Sequence, residues 1–296
     1  MEEYPALWRL VRAACLLDGL AAEPQDEGVR VPGRPGLLVP WPDVAPLLGD
    51  DDPLAAGPRR RLALLLALTA LVARLGADAP AVLAGAARPL ALPVGHALHP
   101  GPGWAGERVP GDLLDLGTGV VGLLPGQDAP VPLPRPLARA AGLEPDTLWQ
   151  GMAPLADRLA GRAAERLGAP EPHAGVLLGA GGCDALTLLA LGAARRGPGP
   201  EVGAPVSPVS APRRDRVWLG PAAADPEHVR AVWMLTDPAE RGLPDPLRVG
   251  PGGLTAARRP ARGRVQECAS SGGLARDGRG RGASRPASGT SSGPSS

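Results

Sequence analysis

Four residue types are missing from the chain, which contains no Phe, Ile, Lys or Asn and only one Tyr. These residues share A/T-rich codons, so their absence is typical of a GC-rich gene, and we expect a bacterial one. Without Lys, neither Schiff-base chemistry nor a Walker-type phosphate site is available to the chain. The core must therefore be built from Leu, Val and Ala, together with six Trp.

Serine is equally scarce, because residues 1–206 contain none. This excludes a Gly-x-Ser-x-Gly nucleophile elbow from that stretch. Ser207 and Ser210 follow in a segment rich in Pro and Gly, residues 197–213, which predicts a linker or long loop. A linker is a poor scaffold for a serine-centred catalytic triad.

The cysteine count and the N-terminus predict a cytoplasmic protein. Cys15, Cys183 and Cys268 are odd in number and far apart, which excludes a disulfide framework and fits a reducing compartment. The N-terminal MEEYPALWRL lacks the basic-then-apolar layout of a signal peptide. The longest apolar run, Leu62–Ala73, has twelve residues. It is too short for a transmembrane segment and predicts a buried core helix.

Charge is unevenly distributed along the chain, although the net value is only +1, and no specific nucleic-acid signature is present. Residues 256–296 carry eight Arg against Glu267 and Asp277, together with eight of the ten Ser. Such a segment buries too little apolar surface to fold, so we expect a disordered tail. It is either a native basic tail that contacts anionic partners weakly or an out-of-frame extension of a GC-rich gene.

Apolar periodicity predicts an α+β fold that is rich in helix and has a few short strands. We expect one globular domain over residues 1–255, and the 197–213 segment leaves a subdomain boundary open. Helices are predicted at 5–19, at 62–76, at 145–167 with Pro154 as its weak point, at 184–195 and at 225–236. Strands are predicted twice within 28–41 and in LALPV, GVVGLL, the run before Gly179, DRVWL and PLRV.

Two histidines and two carboxylates form a candidate metal site. His96 and His99 are followed by Asp112 and Asp115, and imidazole and carboxylate groups suit Zn or Mn. The i,i+3 spacing lies in a Pro/Gly-rich segment and differs from the i,i+4 spacing of helical metal pairs. Two polar loop residues are the alternative interpretation.

A glycine loop at 179–184 follows an apolar run and precedes a predicted helix. Gly179, Gly181 and Gly182 could bring backbone N–H groups to an anion at the helix N-terminus. Asp184 is also well placed to cap that helix, which would occupy the anion position. Cys183 is a candidate nucleophile, because a helix N-terminus lowers a thiol pKa, whereas the adjacent Asp184 opposes thiolate formation.

Two further strings carry weaker signals. Trp104 lies in HPGPGWAGER, a segment with the composition of a flexible loop, and is a candidate for ligand or partner contact. The string DLGTG at 115–119 resembles the first phosphate motif of the actin and sugar-kinase ATPases, which would imply nucleotide binding.

A broader resemblance spans roughly residues 90–250. The strings HALHPGPGWAGERVPGDLLDLGTGVVGL, GGCDALTLL and RGLPDPL resemble a set of uncharacterised proteins from GC-rich actinobacteria. That resemblance implies a bacterial cytoplasmic protein and brings no activity with it.

No complete catalytic set or cofactor signature assembles from these signals. We therefore expect a non-enzymatic cytoplasmic protein that binds a partner or small ligand. The alternative is a phosphate- or metal-dependent enzyme that uses the 179–184 loop and the His96/His99 region. Convergence of His96, His99, Asp112, Asp115 and Cys183 in one pocket would favour the enzyme.

Overall fold

Prolines, glycines and two aspartates set most helix boundaries in the computed structural model, which describes residues 5–33, 36–48, 52, 54–105, 113–168, 175–195, 207–250 and 253–257. The helices are α1 (Pro5–Asp18), α2 (Trp41–Leu48), α3 (Ala56–Leu75), α4 (Ala79–Ala86), α5 (Arg135–Ala140), α6 (Pro145–Gly168), α7 (Ala185–Arg195) and α8 (Pro226–Leu235). The strands are β1 (Glu23–Pro24), β2 (Gly28–Val31), β3 (Leu37–Pro40), β4 (Ala87–Pro93), β5 (Leu114–Val120), β6 (Val131–Pro132), β7 (Gly175–Leu178), β8 (Ser207–Ser210), β9 (Arg216–Leu219), β10 (Leu247–Gly250) and β11 (Gly253–Ala256).

The fold is α+β with more helix than strand, as the apolar periodicity predicts. Among the described residues the strands form three antiparallel sheets, in the orders β1-β2-β3, β4-β5-β6 and β11-β10-β8-β9-β7. The described residues up to Ala257 belong to one compact unit. The tail predicted at 256–296 begins slightly too early, because Ala256 is the last residue of β11, and residues 258–296 lie outside the described residues.

Local sequence sets a boundary of two of the predicted helices, α1 and α8, whereas the proline inside α6 does not end that helix. Helix α1 ends at Gly19, whose φ of 64° lets the Leu20 amide bond back to the Cys15 carbonyl at 2.8 Å in the Schellman pattern. Helix α6 runs unbroken through Pro154. Asp225 caps α8 by accepting hydrogen bonds from the Glu227 and His228 amides, as its position before a proline predicts.

Helix α3 is apolar around its whole circumference because two cores share it. Leu62, Leu65 and Leu66 pack with α1, α2 and the first sheet, whereas Leu68 and Val72 pack with α4, α5 and the β5–β6 edge. The predicted core helix is confirmed, and it is longer than the apolar run. With α4 it forms a stretch, Ala56–Ala86, that is long and apolar enough to cross a membrane, although half of its most apolar window is buried within the fold. A core helix of a soluble protein has these same properties.

The strand predicted at GVVGLL is misplaced, because β5 lies earlier, in LDLGTGV, and includes only Gly119 and Val120 of the predicted run. The glycines of β5 leave space for side chains packed against the strand, and they do not form a loop. A Cβ on Gly117 would lie 2.6 Å from the Trp104 indole, and one on Gly119 would lie 2.9 Å from the Leu90 Cβ. The DLGTG string is therefore the interior of a paired strand.

The linker predicted at 197–213 is also wrong in its described part. Residues 207–210 form β8, which lies between β9 and β10 in the five-stranded sheet, and Val209 is fully buried in the core. Pro208 has no amide hydrogen to donate in this strand, but its carbonyl accepts from the Gly220 amide at 3.0 Å. Residues 196–206 lie outside the described residues.

Replacing Gly117 by Ala should destabilise the protein by about 1–3 kcal/mol, because the new methyl group overpacks against the indole. Gly151 is the matched control, since it lies in α6 and a methyl group on its Cα would meet no neighbouring atom within 4 Å. Gly151→Ala should instead stabilise the protein by ~0.5–1 kcal/mol. Urea denaturation of both variants measures the difference, and equal effects would contradict the packing described here.

Candidate functional site

The glycine loop is a tight hairpin turn. Ala180 and Cys183 exchange both backbone hydrogen bonds at 3.0 Å, and Gly181 and Gly182 between them have φ values of 62° and 80°. Two successive positive φ values define a type I′ turn, which glycine adopts without strain. The Arg88 Nε donates to the Gly181 carbonyl at 3.0 Å. The amides of Ala180 and Cys183 are therefore committed to the hairpin, and an anion could not bind them without opening it.

Asp184 occupies the N-terminus of α7. One carboxylate oxygen, Oδ1, accepts from the Thr187 amide at 2.8 Å and from the Thr187 hydroxyl at 2.6 Å. This is the side-chain cap that the sequence offers as the alternative to an anion site. The Thr187 oxygen in turn accepts from the Ala91 amide of β4 at 2.9 Å, so the cap also joins α7 to β4.

Arg214 neutralises the buried carboxylate of Asp184. Its Nε and Nη2 lie 2.8 and 2.7 Å from Asp184 Oδ2, and both side chains are 5% exposed. Two of the three remaining N–H groups donate to the Pro130 carbonyl at 3.0 Å and the Ala239 carbonyl at 3.2 Å. Both carboxylate oxygens and all three guanidinium nitrogens thus have a partner, which a buried charge pair requires if it is not to destabilise the fold.

His96 and His99 lie in one loop and use the same nitrogen in the same way. His96 Nδ1 accepts from the Leu98 amide at 3.1 Å, and His99 Nδ1 accepts from the Gly101 amide at 3.0 Å. In the neutral imidazole the proton is then on Nε2. Each ring therefore presents an N–H donor to its surroundings and keeps no free lone pair for a general base.

The two Nε2 atoms have different surroundings. His99 Nε2 lies 2.8 Å from Asp115 Oδ2 in a largely buried pair, and the His99 ring meets Trp104 edge-on at 5.0 Å between centroids. Both Nε2 atoms are buried and make no hydrogen bond of normal geometry to a described residue, and the Arg241 backbone approaches His96.

Burial is the main reason that the pKa of His96 falls to about 3. The nearby Arg214 guanidinium, His99 and Arg60 lower the pKa further, and the Arg241 backbone offsets a small part. His96 is therefore neutral at physiological pH. It contributes a neutral N–H group instead of a proton acceptor or a cation.

Cys183 is buried in the core that contains α7. Burial and the neighbouring Asp184 raise the pKa of this thiol to about 12, and Arg88 offsets only part of that rise. A thiol with such a pKa is protonated at neutral pH and is a weak nucleophile.

The candidate metal ligands converge only in part. His99 contacts Asp115 and His96 lies nearby, but Asp112 lies outside the described residues. Among the described residues, no group of three or more His, Cys, Asp or Glu side chains is arranged to hold a metal ion. Trp104 is 0% exposed and donates from Nε1 to the Thr118 carbonyl at 2.7 Å, so it packs in the core and offers no open surface to a ligand.

A cavity of about 560 Å³ lies between α1 and β1. Trp8, Arg12 and Leu16 project from α1 at intervals of four residues, and the Arg12 guanidinium lies 5.3 Å from the centre of the Trp8 ring. The Schellman turn at Gly19 reverses the chain, so that β1 returns beside the helix and forms the opposite wall. The lining residues are Trp8, Arg12, Cys15, Leu16, Leu20, Ala21, Ala22, Glu23, Pro24 and Pro32.

Sequence reasoning missed this cavity, although a signal for it exists. Apolar residues recur at helical spacing in α1, at Leu7, Leu10, Val11, Ala14 and Leu17. Val11 and Ala14 are buried in the core together with Cys15, but Leu16 and Leu17 are 76% and 63% exposed. Helix α1 thus carries more large apolar side chains than its buried face uses, and that surplus marks a surface available for binding.

Comparisons with known proteins add no assignment, since no protein-family model, no curated protein and no solved structure matches the chain.

Removing one partner of the buried pair should be strongly destabilising. We expect Arg214→Ala to lower the free energy of unfolding by about 3–5 kcal/mol, because Asp184 is left as an uncompensated buried charge. The exposed pair Arg230–Asp245, at 2.8 Å, is the control, and Arg230→Ala should cost at most about 1 kcal/mol. Similar losses in urea denaturation of the two variants would contradict the role of the buried pair.

Acid should weaken the fold through His96. The unfolded imidazole takes up a proton near its ordinary pKa of 6.5, whereas the folded one does so only near a pKa of about 3. The unfolded state therefore binds more protons between these values, and stability is lost as the pH falls from 6.5 toward 3. The free energy of unfolding of the native protein should fall more steeply over that range than that of His96→Gln. Equal slopes would show that His96 is accessible to protons in the folded state.

Proposed function

We propose that this chain is a non-enzymatic cytoplasmic protein that binds a small ligand or partner in the α1–β1 cavity. The observation that carries the proposal is the cavity itself. Its volume of about 560 Å³ falls within the range of ligand sites, which are concave and mostly apolar with a few polar groups. The residues that line it are mostly apolar, and two of them, Arg12 and Glu23, are charged.

The state of the buried polar groups supports binding over catalysis. The Nδ1 atoms of His96 and His99 accept from backbone amides, and the carboxylate of Asp184 is shared between Thr187 and Arg214. Catalytic acids and bases need a free position toward substrate and a pKa near the working pH. These groups are occupied in holding the fold together.

A cytoplasmic location is supported by the cysteines. Cys15 and Cys183 are both free and buried, as expected of small core residues in a reducing compartment. The resemblance to uncharacterised actinobacterial proteins agrees with this location and stays a prediction.

One observation favours the alternative, a phosphate- or metal-dependent enzyme. The 2.8 Å contact between His99 Nε2 and Asp115 Oδ2 would give two ligands of a metal site if both groups turned toward one ion. Against it, the 179–184 loop is closed by its own hydrogen bonds and capped by Asp184. A thermal midpoint raised by Zn²⁺ in the native protein, but not in His99→Gln, would favour this alternative over the cavity.

A neutral apolar dye, N-phenyl-1-naphthylamine, tests the proposed function. It should bind the native protein saturably with one site per chain and gain fluorescence on entering the cavity. Leu16 lines the cavity and Leu17 does not, although both are exposed. Leu16→Asp should therefore abolish the saturable signal, and Leu17→Asp should preserve it.

Thermal melting of both variants checks that their folds are intact. A dye that does not saturate, or that responds equally to the two substitutions, would contradict binding in the α1–β1 cavity.

A further inference from the structure

The walls of the α1–β1 cavity divide by chemistry into an apolar majority and two charged side chains. Seven of the lining residues are apolar: Trp8, Leu16, Leu20, Ala21, Ala22, Pro24 and Pro32. The charged ones are Arg12 on α1 and Glu23 on β1. A ligand that matches this lining has an apolar body and a single polar group.

Among the described residues that line this cavity, Arg12 is the cation, and its side chain is exposed. It lies one helical turn from both Trp8 and Leu16, in the middle of the helical wall. Arg59, Arg60 and Arg230 each form an ion pair with a carboxylate. Arg12, by contrast, places its guanidinium over the Trp8 ring.

The position of Arg12 over the Trp8 ring favours carboxylate recognition. The guanidinium carbon lies 5.3 Å from the ring centre, and the planar N–H edge of an arginine matches the two oxygens of a carboxylate. The ring also limits the freedom of a long side chain, so less entropy is lost when the ligand is bound. The arrangement favours a planar anion over a neutral hydroxyl group or an ammonium.

We infer that the α1–β1 cavity binds an apolar molecule that ends in a carboxylate, with Arg12 as the residue that recognises the carboxylate. This inference rests on the proposed function and adds the chemical class of the ligand. Glu23 opposes a carboxylate placed near β1, so it directs the anionic end toward α1. The apolar body then lies against Leu16, Leu20 and the two prolines.

Isothermal titration calorimetry of the full chain with nonanoate, octanoate, 1-octanol and octylammonium tests this inference, because nonanoate, 1-octanol and octylammonium share an octyl chain and differ only in their polar end. Nonanoate should bind more tightly to the native protein than 1-octanol or octylammonium. Arg12→Gln should weaken octanoate binding about tenfold, since a charge-assisted bidentate contact is lost. The affinity for 1-octanol should stay unchanged in that variant.

Arg9→Gln is the matched control, because Arg9 is an exposed arginine of the same helix that does not line the cavity. It should leave octanoate binding unchanged. Glu23→Gln should act in the opposite direction to Arg12→Gln and modestly tighten octanoate binding.

Equal affinity for nonanoate and 1-octanol, no octanoate binding, or the same loss in Arg9→Gln and Arg12→Gln would overturn the inference. If the neutral dye still binds in a Leu16-dependent way, only the assigned ligand class fails. If neither the dye nor any octyl probe binds, the proposed function fails as well.

Discussion

The buried ion pair between Asp184 and Arg214 is the interaction on which the rest of the fold depends. Helix α7 is buried from Ala185 to Ala193, so its N-terminus has no access to water and its amides need an internal acceptor. Asp184 provides that acceptor, and a buried carboxylate in turn needs a cation. Arg214 supplies the charge and uses its other donors on carbonyls from two further loops. One carboxylate thereby fixes α7 against β4 and the five-stranded sheet.

Arginine has the same role at the start of α3. Arg59 pairs with Asp18 of α1, and Arg60 pairs with Asp237 through two contacts of 2.7 and 3.0 Å. Arg61 donates to backbone carbonyls at the end of α2 and at Ala97. This triplet could be read as a basic patch, yet its charges are used within the chain. A sequence without Lys suits this use, because the planar guanidinium makes several directed contacts at once.

Some elements were predictable because their signals are local. Helices α1, α6 and α8 carry a Pro or Asp at the start, a Gly at the end or both, and the Asp184 cap follows from its place before α7. Strands β5 and β8 were not predictable in this way. A glycine that makes room for Trp104 looks the same in sequence as one that forms a turn, and the S-P-V-S of β8 has the composition of a loop.

The candidate functional residues show the same difference between local signals, which sequence carries, and long-range contacts, which it does not. The Asp184 cap and the loop position of the two histidines were readable, but Arg214 lies thirty residues from Asp184 along the chain, and no local pattern links them. The α1–β1 cavity depends on how the turn after Gly19 returns the chain, which periodicity does not encode. Sequence reasoning therefore identified residues whose side chains are capable of catalysis or metal binding. The tertiary structure shows that most of them make structural hydrogen bonds or pack in the core.

Native-state hydrogen exchange at the Ala91 and Thr187 amides tests the structural role of the Asp184 network most directly. Both amides donate into this network, the first through the Thr187 hydroxyl oxygen. If the network holds the fold together, both should exchange only through global unfolding, with an opening free energy equal to that from denaturation. Exchange at a much lower opening free energy, through local fluctuation of the α7 N-terminus, would contradict the account.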